Sequence, residues 1–208
     1  MKLAELRSAA YYRLFSVDGL LRRISDPGTR ILDVGCSDGR GSAVLGAWRA
    51  DGVDVHRPAL EHARRLGRRG RVVQADVRWL PFRDRAYDVV VALDLVEHLD
   101  KPDAVALLGE LERVARSTVV VVTPSGFLPQ PATADEPWQE HRCGFEAEEL
   151  AGLGYSVRGL GGPAALRRDR GAFRFGILGQ AAGLLAAPWA RRRPDHAFAL
   201  VAVKSAGV

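Results

Sequence analysis

Short apolar runs alternate with helix-like segments along most of this 208-residue chain. The apolar runs predict seven strands, which start at residue 31 and then occupy residues 51–55, 71–75, 87–93, 118–122, 155–159 and 197–204. Apolar residues at helical spacing predict helices over 3–24, 57–69 and 146–153, and another that begins near Pro102. Strands that alternate with helices in this way are typical of an α/β fold with a doubly wound, mostly parallel sheet. A chain of this length forms a single domain, which we divide into an N-terminal helix (1–28), a core (29–124) and a C-terminal part (125–208).

A glycine-spaced turn follows the first predicted strand, in the stretch ILDVGCSDGRG that starts at Ile31. Asp33 closes the strand, Gly35 and Gly39 supply backbone freedom to the turn, and Cys36 is a small residue within it. Such a turn lets the backbone pass close to a ligand, and the helix that it opens begins with N–H groups that face the ligand. The sequence therefore predicts a nucleoside-like ligand here.

Two residues of this turn argue against the dinucleotide-binding fingerprint G-x-G-x-x-G. Counted from Gly35, the second and third glycines of that pattern would fall on Ser37 and Arg40. A nicotinamide-dependent oxidoreductase is therefore disfavoured.

Acidic residues also end the second and third predicted strands, at Asp54 and Asp76. A carboxylate at the tip of the second strand can accept both hydroxyls of a ribose, because its two oxygens match a vicinal diol. A single aspartate at a strand end is often a helix cap or a loop residue. The succession of Asp33, Asp54 and Asp76 is what predicts a binding edge.

The fourth predicted strand, Tyr87–Leu93, is apolar throughout, as is typical of a strand buried on both faces of a parallel sheet. It leads into the sequence DLVEH at residues 94–98. With the D-x-G-x-x-x-G spacing of the turn and the acidic strand ends, these features make residues 31–124 resemble the core of class I S-adenosylmethionine-dependent methyltransferases, of the type 11-like kind. Ser37 stands where the usual pattern of that family has glycine.

The resemblance implies a Rossmann-like, seven-stranded sheet whose last strand is antiparallel, and S-adenosylmethionine as the cofactor. It implies that Asp33 helps hold the methionine part, that Asp54 grips the ribose, and that Asp76 and the next backbone N–H contact the adenine. The cofactor-binding residues that it implies are Asp33, Gly35, Cys36, Gly39, Asp54, Val55, Asp76, Val77, Leu93 and Asp94.

Glu97 and His98 follow the fourth strand, whose end lies beside the methyl donor in the resembling family. An acceptor hydroxyl or protonated amine must lose a proton, and a histidine with an ordinary pKa near ~6.5 suits that task. We therefore expect His98, backed by Glu97, to act as a base or to orient the acceptor, without a metal ion. Two alternatives stay open. His98 can bond to the backbone at the start of a helix, and Asp94, Glu97 and His98 resemble the E-x-x-E-H pattern with which some quinone-pathway O-methyltransferases bind a divalent ion.

A polar, proline-rich loop runs from residue 125 to residue 143. Loops of this length in compact domains usually carry function, so we expect it to cover the acceptor. It resembles a branch of these enzymes that has P-x-G-F after the fifth strand and a histidine just before G-W or G-F; the matching residues are Pro124, Gly126, Phe127, His141, Gly144 and Phe145. His141 either takes part in catalysis or holds the loop closed.

Positive charge is concentrated near the C-terminus: residues 151–208 carry nine basic and two acidic residues, whereas residues 1–150 have a net charge of −2. Arginines bracket an uncharged segment, Phe175–Ala190, which is shorter than the roughly 20 residues that cross a bilayer. The segment can pack on the sheet or at a homodimer contact, lie on an anionic membrane surface, or receive an apolar substrate. No nucleic-acid-binding motif accompanies these arginines, so we expect no nucleic-acid partner.

The start of the chain shows no secretory signal, and Cys36 and Cys143 are its only cysteines, so we expect a cytoplasmic protein without a disulfide framework. The sequence predicts an S-adenosylmethionine-dependent methyltransferase that modifies an oxygen or nitrogen nucleophile of a small, partly apolar metabolite. The alternatives are a non-catalytic cofactor-binding regulatory or partner protein, and a methyltransferase for a lipid or a membrane-associated, quinone-like substrate.

Overall fold

The computed structural model describes residues 17–26, 28–39, 50–65, 70–133, 137–168 and 174–206. The helices in these ranges are α1 (Val17–Ile24), α2 (Arg57–Arg65), α3 (Lys101–Val114), α4 (Ala147–Gly152) and α5 (Gly176–Arg192). The strands are β1 (Ile31–Val34), β2 (Asp51–Asp54), β3 (Val72–Gln74), β4 (Tyr87–Leu93), β5 (Ala115–Pro124), β6 (Ser156–Pro163) and β7 (Ala197–Ser205). Each of the seven predicted strands is therefore present.

The strands form one sheet in the order β3-β2-β1-β4-β5-β7-β6. β1 pairs in parallel with both β2 and β4, and β2 pairs in parallel with β3. β6 and β7 pair in antiparallel orientation. The predicted Rossmann-like, doubly wound sheet with an antiparallel last strand is thus confirmed. The strand order reverses between β1 and β4, and ligands of open α/β sheets bind at such switch points.

Contacts divide the chain into two compact units, the first of which comprises residues 1–93, 105–120 and 205–208. Its described part contains β1 to β4. All four residues of β1 are buried, and β4 buries five of its seven, because their apolar runs are covered on both faces. The helix α2 turns Ala59, Leu60 and Ala63 into the core, which is the face that the sequence predicts.

The second unit comprises residues 94–104 and 121–204. Here glycines let α5 approach β6 closely. A side chain at Gly159 would overlap the carbonyl of Ala190, and one at Gly162 would lie 2.9 Å from the carbonyl oxygen of Gly183. The uncharged segment of the sequence is therefore a helix that packs on the sheet through its small residues.

Some predicted boundaries differ from the observed ones. β5 begins at Ala115 instead of residue 118, and β6 continues to Pro163 instead of ending at residue 159. Residues 3–16 and 66–69 of two predicted helices, and the helix expected after the glycine turn, lie outside the described residues. Among the described helices, none combines the length and the apolar character needed to cross a membrane.

The close approach of α5 to β6 predicts that Gly159→Ala destabilises the protein. The new methyl group would overlap the carbonyl of Ala190 and lie 2.6 Å from Cβ of Ala197, so backbone must shift, at a cost of about 1–3 kcal/mol. Gly109→Ala is the matched control, because open space surrounds that position in α3 and alanine favours a helix by about 0.5–1 kcal/mol. Urea unfolding measures both. Equal stability of the two variants would contradict the packing described for α5.

Candidate active site

The glycine turn after β1 is attached to β2 by its backbone. The N–H groups of Gly35 and Cys36 both donate to the carbonyl oxygen of Val53, over 2.9 Å and 3.1 Å. Gly35 and Gly39 have φ values of 74° and 80°, in the left-handed region that glycine adopts without strain. Ser37 has a φ of 45°, so this residue carries strain that the family's usual glycine would avoid.

Asp54 connects this turn to the end of β2. One carboxylate oxygen accepts the N–H of Ser37 over 2.7 Å, and the other accepts the N–H of His56 over 2.8 Å. The bond to Ser37 supports the left-handed residue that replaces glycine. Each carboxylate oxygen has a second lone pair, so Asp54 can hold the turn and still accept the hydroxyls of a ribose.

Asp76, after β3, binds the guanidinium of Arg78. Nε and Nη2 of Arg78 lie 3.0 Å and 2.6 Å from the two carboxylate oxygens, and these hydrogen bonds lower the pKa of Asp76. The guanidinium also lies over the ring of Trp79, at 4.9 Å from its centroid, and 70% of Trp79 is exposed. Sequence reasoning misses the contacts of Arg78 with Asp76 and Trp79, because they depend on the direction of the arginine side chain.

The carboxyl ends of β1, β2 and β3 meet at one edge of the sheet. In register, Asp33 stands beside Gly52 and Val91, and Asp54 stands beside Gln74. Asp33, Cys36 and Val77 are buried and Val55 is about half exposed, so the predicted residues lie at different depths below the surface. A left-handed turn for close backbone approach, together with carboxyl oxygens that accept hydrogen bonds from hydroxyl and amino groups, fits an adenosine-containing cofactor.

Leu93 ends β4 and Asp94 follows it with a φ of 50°. The N–H of Asp94 donates to the carbonyl of Val122 over 2.9 Å, which holds this left-handed residue in place. Its side chain is exposed. The cofactor contacts predicted for Leu93 and Asp94 stay predictions.

The second unit contains a cluster of one carboxylate and two imidazoles. Glu97 and His98 lie in the short helical turn Val96–His98, and His141 lies in the loop of residues 125–143. Their side-chain atoms that can bind a metal lie within 4.8 Å of one another. The two rings meet edge to face, with centroids 4.8 Å apart. The structure thus brings together the three residues that the sequence predicts to be catalytic.

Glu97 is buried, with 2% of its surface exposed. Its carboxylate accepts the hydroxyl of Thr123 over 3.1 Å. Burial, and then the charge of Asp94, raise the pKa of Glu97 well above its ordinary value. Sequence reasoning misses Thr123 because it is one polar residue at the end of an apolar strand.

Backbone carbonyls orient both histidines. Nδ1 of His98 lies 3.0 Å from the carbonyl oxygen of Glu140, and Nδ1 of His141 lies 2.7 Å from that of Leu128. Burial lowers the pKa of His98, against the opposing effect of the Glu140 carbonyl. The ring of His98 is thus bonded to the backbone of the loop, and the carboxylate of Glu97, which we expect to back it, is bonded to Thr123. The roles predicted for these residues stay predictions.

The carbonyl of Glu97 also fixes the loop. It accepts the N–H groups of Arg142 and Cys143, over 2.8 Å and 3.2 Å, and the thiol of Cys143 lies 3.4 Å from the carbonyl of Val96. Burial raises the pKa of this thiol, which favours its neutral form. Residues 140–143 are consequently attached to the helical turn that carries Glu97 and His98.

The comparison with known protein families agrees with the strands and the glycine turn described above. Residues 31–118 match the family model described as a methyltransferase domain. This match covers less than half of the chain and, with the strand order, agrees with the resemblance to class I S-adenosylmethionine-dependent methyltransferases.

Curated relatives match parts of the chain. A Mycobacterium tuberculosis protein, named as a probable S-adenosylmethionine-dependent methyltransferase, is 33% identical over 129 residues, which cover 59% of this chain and 46% of that protein. The ubiquinone biosynthesis O-methyltransferase of Bordetella avium is 29% identical over 109 residues, which cover 49% of this chain and 41% of that enzyme. The chain thus spans about half the length of the curated relatives it matches.

Solved structures share the fold at low identity. Magnesium protoporphyrin IX methyltransferase from Synechocystis, solved with bound SAH, has a TM-score of 0.60 and 15% identity, covering 100% of this chain and 89% of its own. A 4+2 cyclase also has a TM-score of 0.60, with 18% identity and coverage of 92% and 80%. The same fold thus occurs in proteins named for different reactions.

The hydrogen bond between Thr123 and Glu97 predicts that Thr123→Val lowers the free energy of unfolding. Valine has the same shape but no hydroxyl, so a buried carboxylate oxygen loses its donor, which costs about 1–3 kcal/mol. Thr123→Ser keeps the hydroxyl and serves as the control. Denaturant unfolding of both variants checks the prediction, and a valine variant more stable than the serine variant would contradict it.

Proposed function

We propose that this chain is an S-adenosylmethionine-dependent methyltransferase. The observation that carries the proposal is the left-handed glycine turn at Gly35–Gly39 beside Asp33, Asp54 and Asp76, next to the strand-order reversal. The family match over residues 31–118 and the methyltransferases among its relatives support it.

In this proposal the edge of the sheet binds and orients the cofactor. Asp54 accepts the ribose hydroxyls, Asp76 and the N–H of Val77 contact the adenine, and Asp33 helps hold the methionine part. The bound cofactor supplies a methyl group that its sulfonium already activates. The protein then contributes mainly proximity and orientation, effects that reach about 7–11 kcal/mol in favourable systems.

Asp54→Ala should weaken the binding of S-adenosylhomocysteine at least ~10-fold, because one or two charge-assisted hydrogen bonds are lost. Asp51→Ala is the matched control: Asp51 starts the same strand, at its opposite end, and accepts the backbone N–H of Arg71 over 2.7 Å. Isothermal titration measures both affinities. If the alanine at 54 left the affinity unchanged, or if both variants lost it equally, the assignment of Asp54 would be wrong.

The acceptor in this proposal is a small, partly apolar metabolite with an oxygen or nitrogen nucleophile. The loop of residues 125–143 presents Phe127 and Trp138 with more than half of their surfaces exposed, which suits contact with an apolar group. Hydrogen bonds within the loop shape it: the side-chain amide of Gln130 donates to the carbonyl of Gln139, and the backbone carbonyl of Gln130 accepts from His141. His98, Glu97 and His141 would act on the acceptor as base or orienting groups.

Replacing residues 131–136 with a short glycine-serine link should abolish methyl transfer while leaving the affinity for S-adenosylhomocysteine nearly unchanged. The physical reason is that the loop is proposed to contact the acceptor and to exclude water, and not to bind the cofactor. A panel of hydroxyl and amine acceptors with labelled cofactor measures turnover, and titration measures affinity. Equal loss of both would show that the loop is structural.

A methyltransferase for a membrane-associated acceptor is the second candidate, and α5 favours it. Leu178 and Leu185 are 78% and 85% exposed, and Trp189 is half exposed on the same face. The opposite face buries Gly183, Ala187 and Ala190. Arg191 and Arg192 follow at the end of the helix. An apolar face beside arginines suits the surface of an anionic membrane.

If α5 contacts lipid, the chain should sediment with phosphatidylglycerol vesicles and more weakly with phosphatidylcholine vesicles. Leu178→Glu combined with Leu185→Glu should reduce this binding at least ~10-fold, because it places charges on the inserted face. Val105→Glu is the control, since Val105 is an exposed apolar residue of α3. Absence of vesicle binding in the wild type would contradict the membrane candidate, and concentration-dependent dimers would assign the face to a second copy.

A further inference from the structure

We propose that Glu97, His98 and His141 bind a divalent transition-metal ion. Any part of this ion in catalysis rests on the proposed function, in which the three side chains would then orient the acceptor through the ion and not serve as bases. The binding of the ion does not rest on that function. The three side chains come from two segments, the helical turn after β4 and the loop before α4.

The three side chains of the cluster lie close enough together to bind one ion after small movements. The three candidate ligand atoms lie within 4.8 Å of one another. Two ligands that share a metal at about 2.1 Å lie at most about 4.2 Å apart, so small side-chain movements would bring all three to bonding distance. Two imidazoles and one carboxylate are a common ligand set for first-row transition metals and leave coordination positions open.

The hydrogen bonds of the two histidines prepare them as ligands. A carbonyl oxygen can only accept, so Nδ1 of each ring must carry the proton that faces Glu140 or Leu128. In a neutral imidazole this leaves the lone pair on Nε2. The ring of His98 also bonds to the backbone of Asp94, and the ion would have to replace that bond. Metal-binding histidines almost always donate their other N–H to a carbonyl or a carboxylate in this way.

The charge of the cluster also favours a cation. Glu97 is buried, and its carboxylate accepts the hydroxyl of Thr123 over 3.1 Å. A buried carboxylate is stabilised when it is paired with positive charge, which a divalent ion supplies. The thiol of Cys143 is engaged with the carbonyl of Val96, so the expected ligands are nitrogen and oxygen rather than sulfur.

This ligand set differs from Asp94, Glu97 and His98, the three residues that resemble the E-x-x-E-H pattern. Asp94 is exposed and does not belong to the cluster, and His141 takes the third place. Because His141 belongs to the loop of residues 125–143, the ion would hold that loop to the helical turn. An open coordination position could bind an acceptor hydroxyl and lower its pKa.

The test is a titration of the tag-free, chelator-treated full chain with Co²⁺, followed by visible absorption. We expect saturation at one ion per chain. His141→Ala and Glu97→Gln should each lower the affinity at least ~10-fold, because each removes one ligand. His196→Ala is the control, because that exposed histidine stacks on Trp189 and should not affect binding.

Pulsed EPR of the wild type with Mn²⁺ should show two imidazole nitrogens, which tests the site even if a variant fails to fold.

Absence of Co²⁺ binding to the wild type, or unchanged affinity in His141→Ala, would overturn the metal site. Binding of S-adenosylhomocysteine is measured on the same samples. If the ion binds and S-adenosylhomocysteine does not, the site stands and the proposed function fails; the reverse result leaves the proposed function intact and rejects the site.

Discussion

Parallel pairing of β1 with both of its neighbours is the constraint on which the candidate cofactor site depends. β1 is only four residues long, yet it is hydrogen-bonded to β2 on one side and to β4 on the other. Parallel strands end at the same edge, so the aspartates that close successive strands meet there although they are far apart in sequence. The same pairing places the carbonyl of Val53 where it receives both N–H groups of the glycine turn.

The turn and the carboxylate of Asp54 depend on each other. Ser37 adopts a left-handed conformation that costs a non-glycine residue energy, and the bond from its N–H to Asp54 offsets part of that cost. An acidic residue at this strand end therefore has a structural task as well as the proposed contact with ribose. This dual role explains how the chain departs from the family's glycine pattern without losing the turn.

Local sequence patterns predict the limits of a strand well where burial on both faces of the sheet makes the whole strand apolar. Tyr87–Leu93 is apolar throughout and forms β4 with the predicted limits. The pattern is less informative for β5, because α3 ends at Val114 and the strand begins directly at Ala115 with the polar residues Arg116 and Ser117. For the segment at 175–190, the absence of charge could not show which residues face the sheet. The structure places Gly183, Ala187 and Ala190 on the packing face of α5.

Pairings across long sequence separations could not be read from the sequence. Nothing local indicates that His141 approaches His98, because the contact is created by the Glu97 carbonyl, which receives two N–H groups from the loop. The hydroxyl of Thr123 and the guanidinium of Arg78 are further examples, since their partners depend on side-chain direction. The family resemblance predicts which residues at the strand ends bind the cofactor, and the folded chain shows how those residues are held.

Hydrogen exchange of the backbone amides with and without S-adenosylhomocysteine tests the central claim most directly. The account predicts that the cofactor slows exchange at residues 35–39, 54–56 and 76–78, with no such effect from NAD. Protection by NAD but not by S-adenosylhomocysteine, or no protection of the glycine turn by either, would contradict the assignment of this edge as a methyltransferase cofactor site.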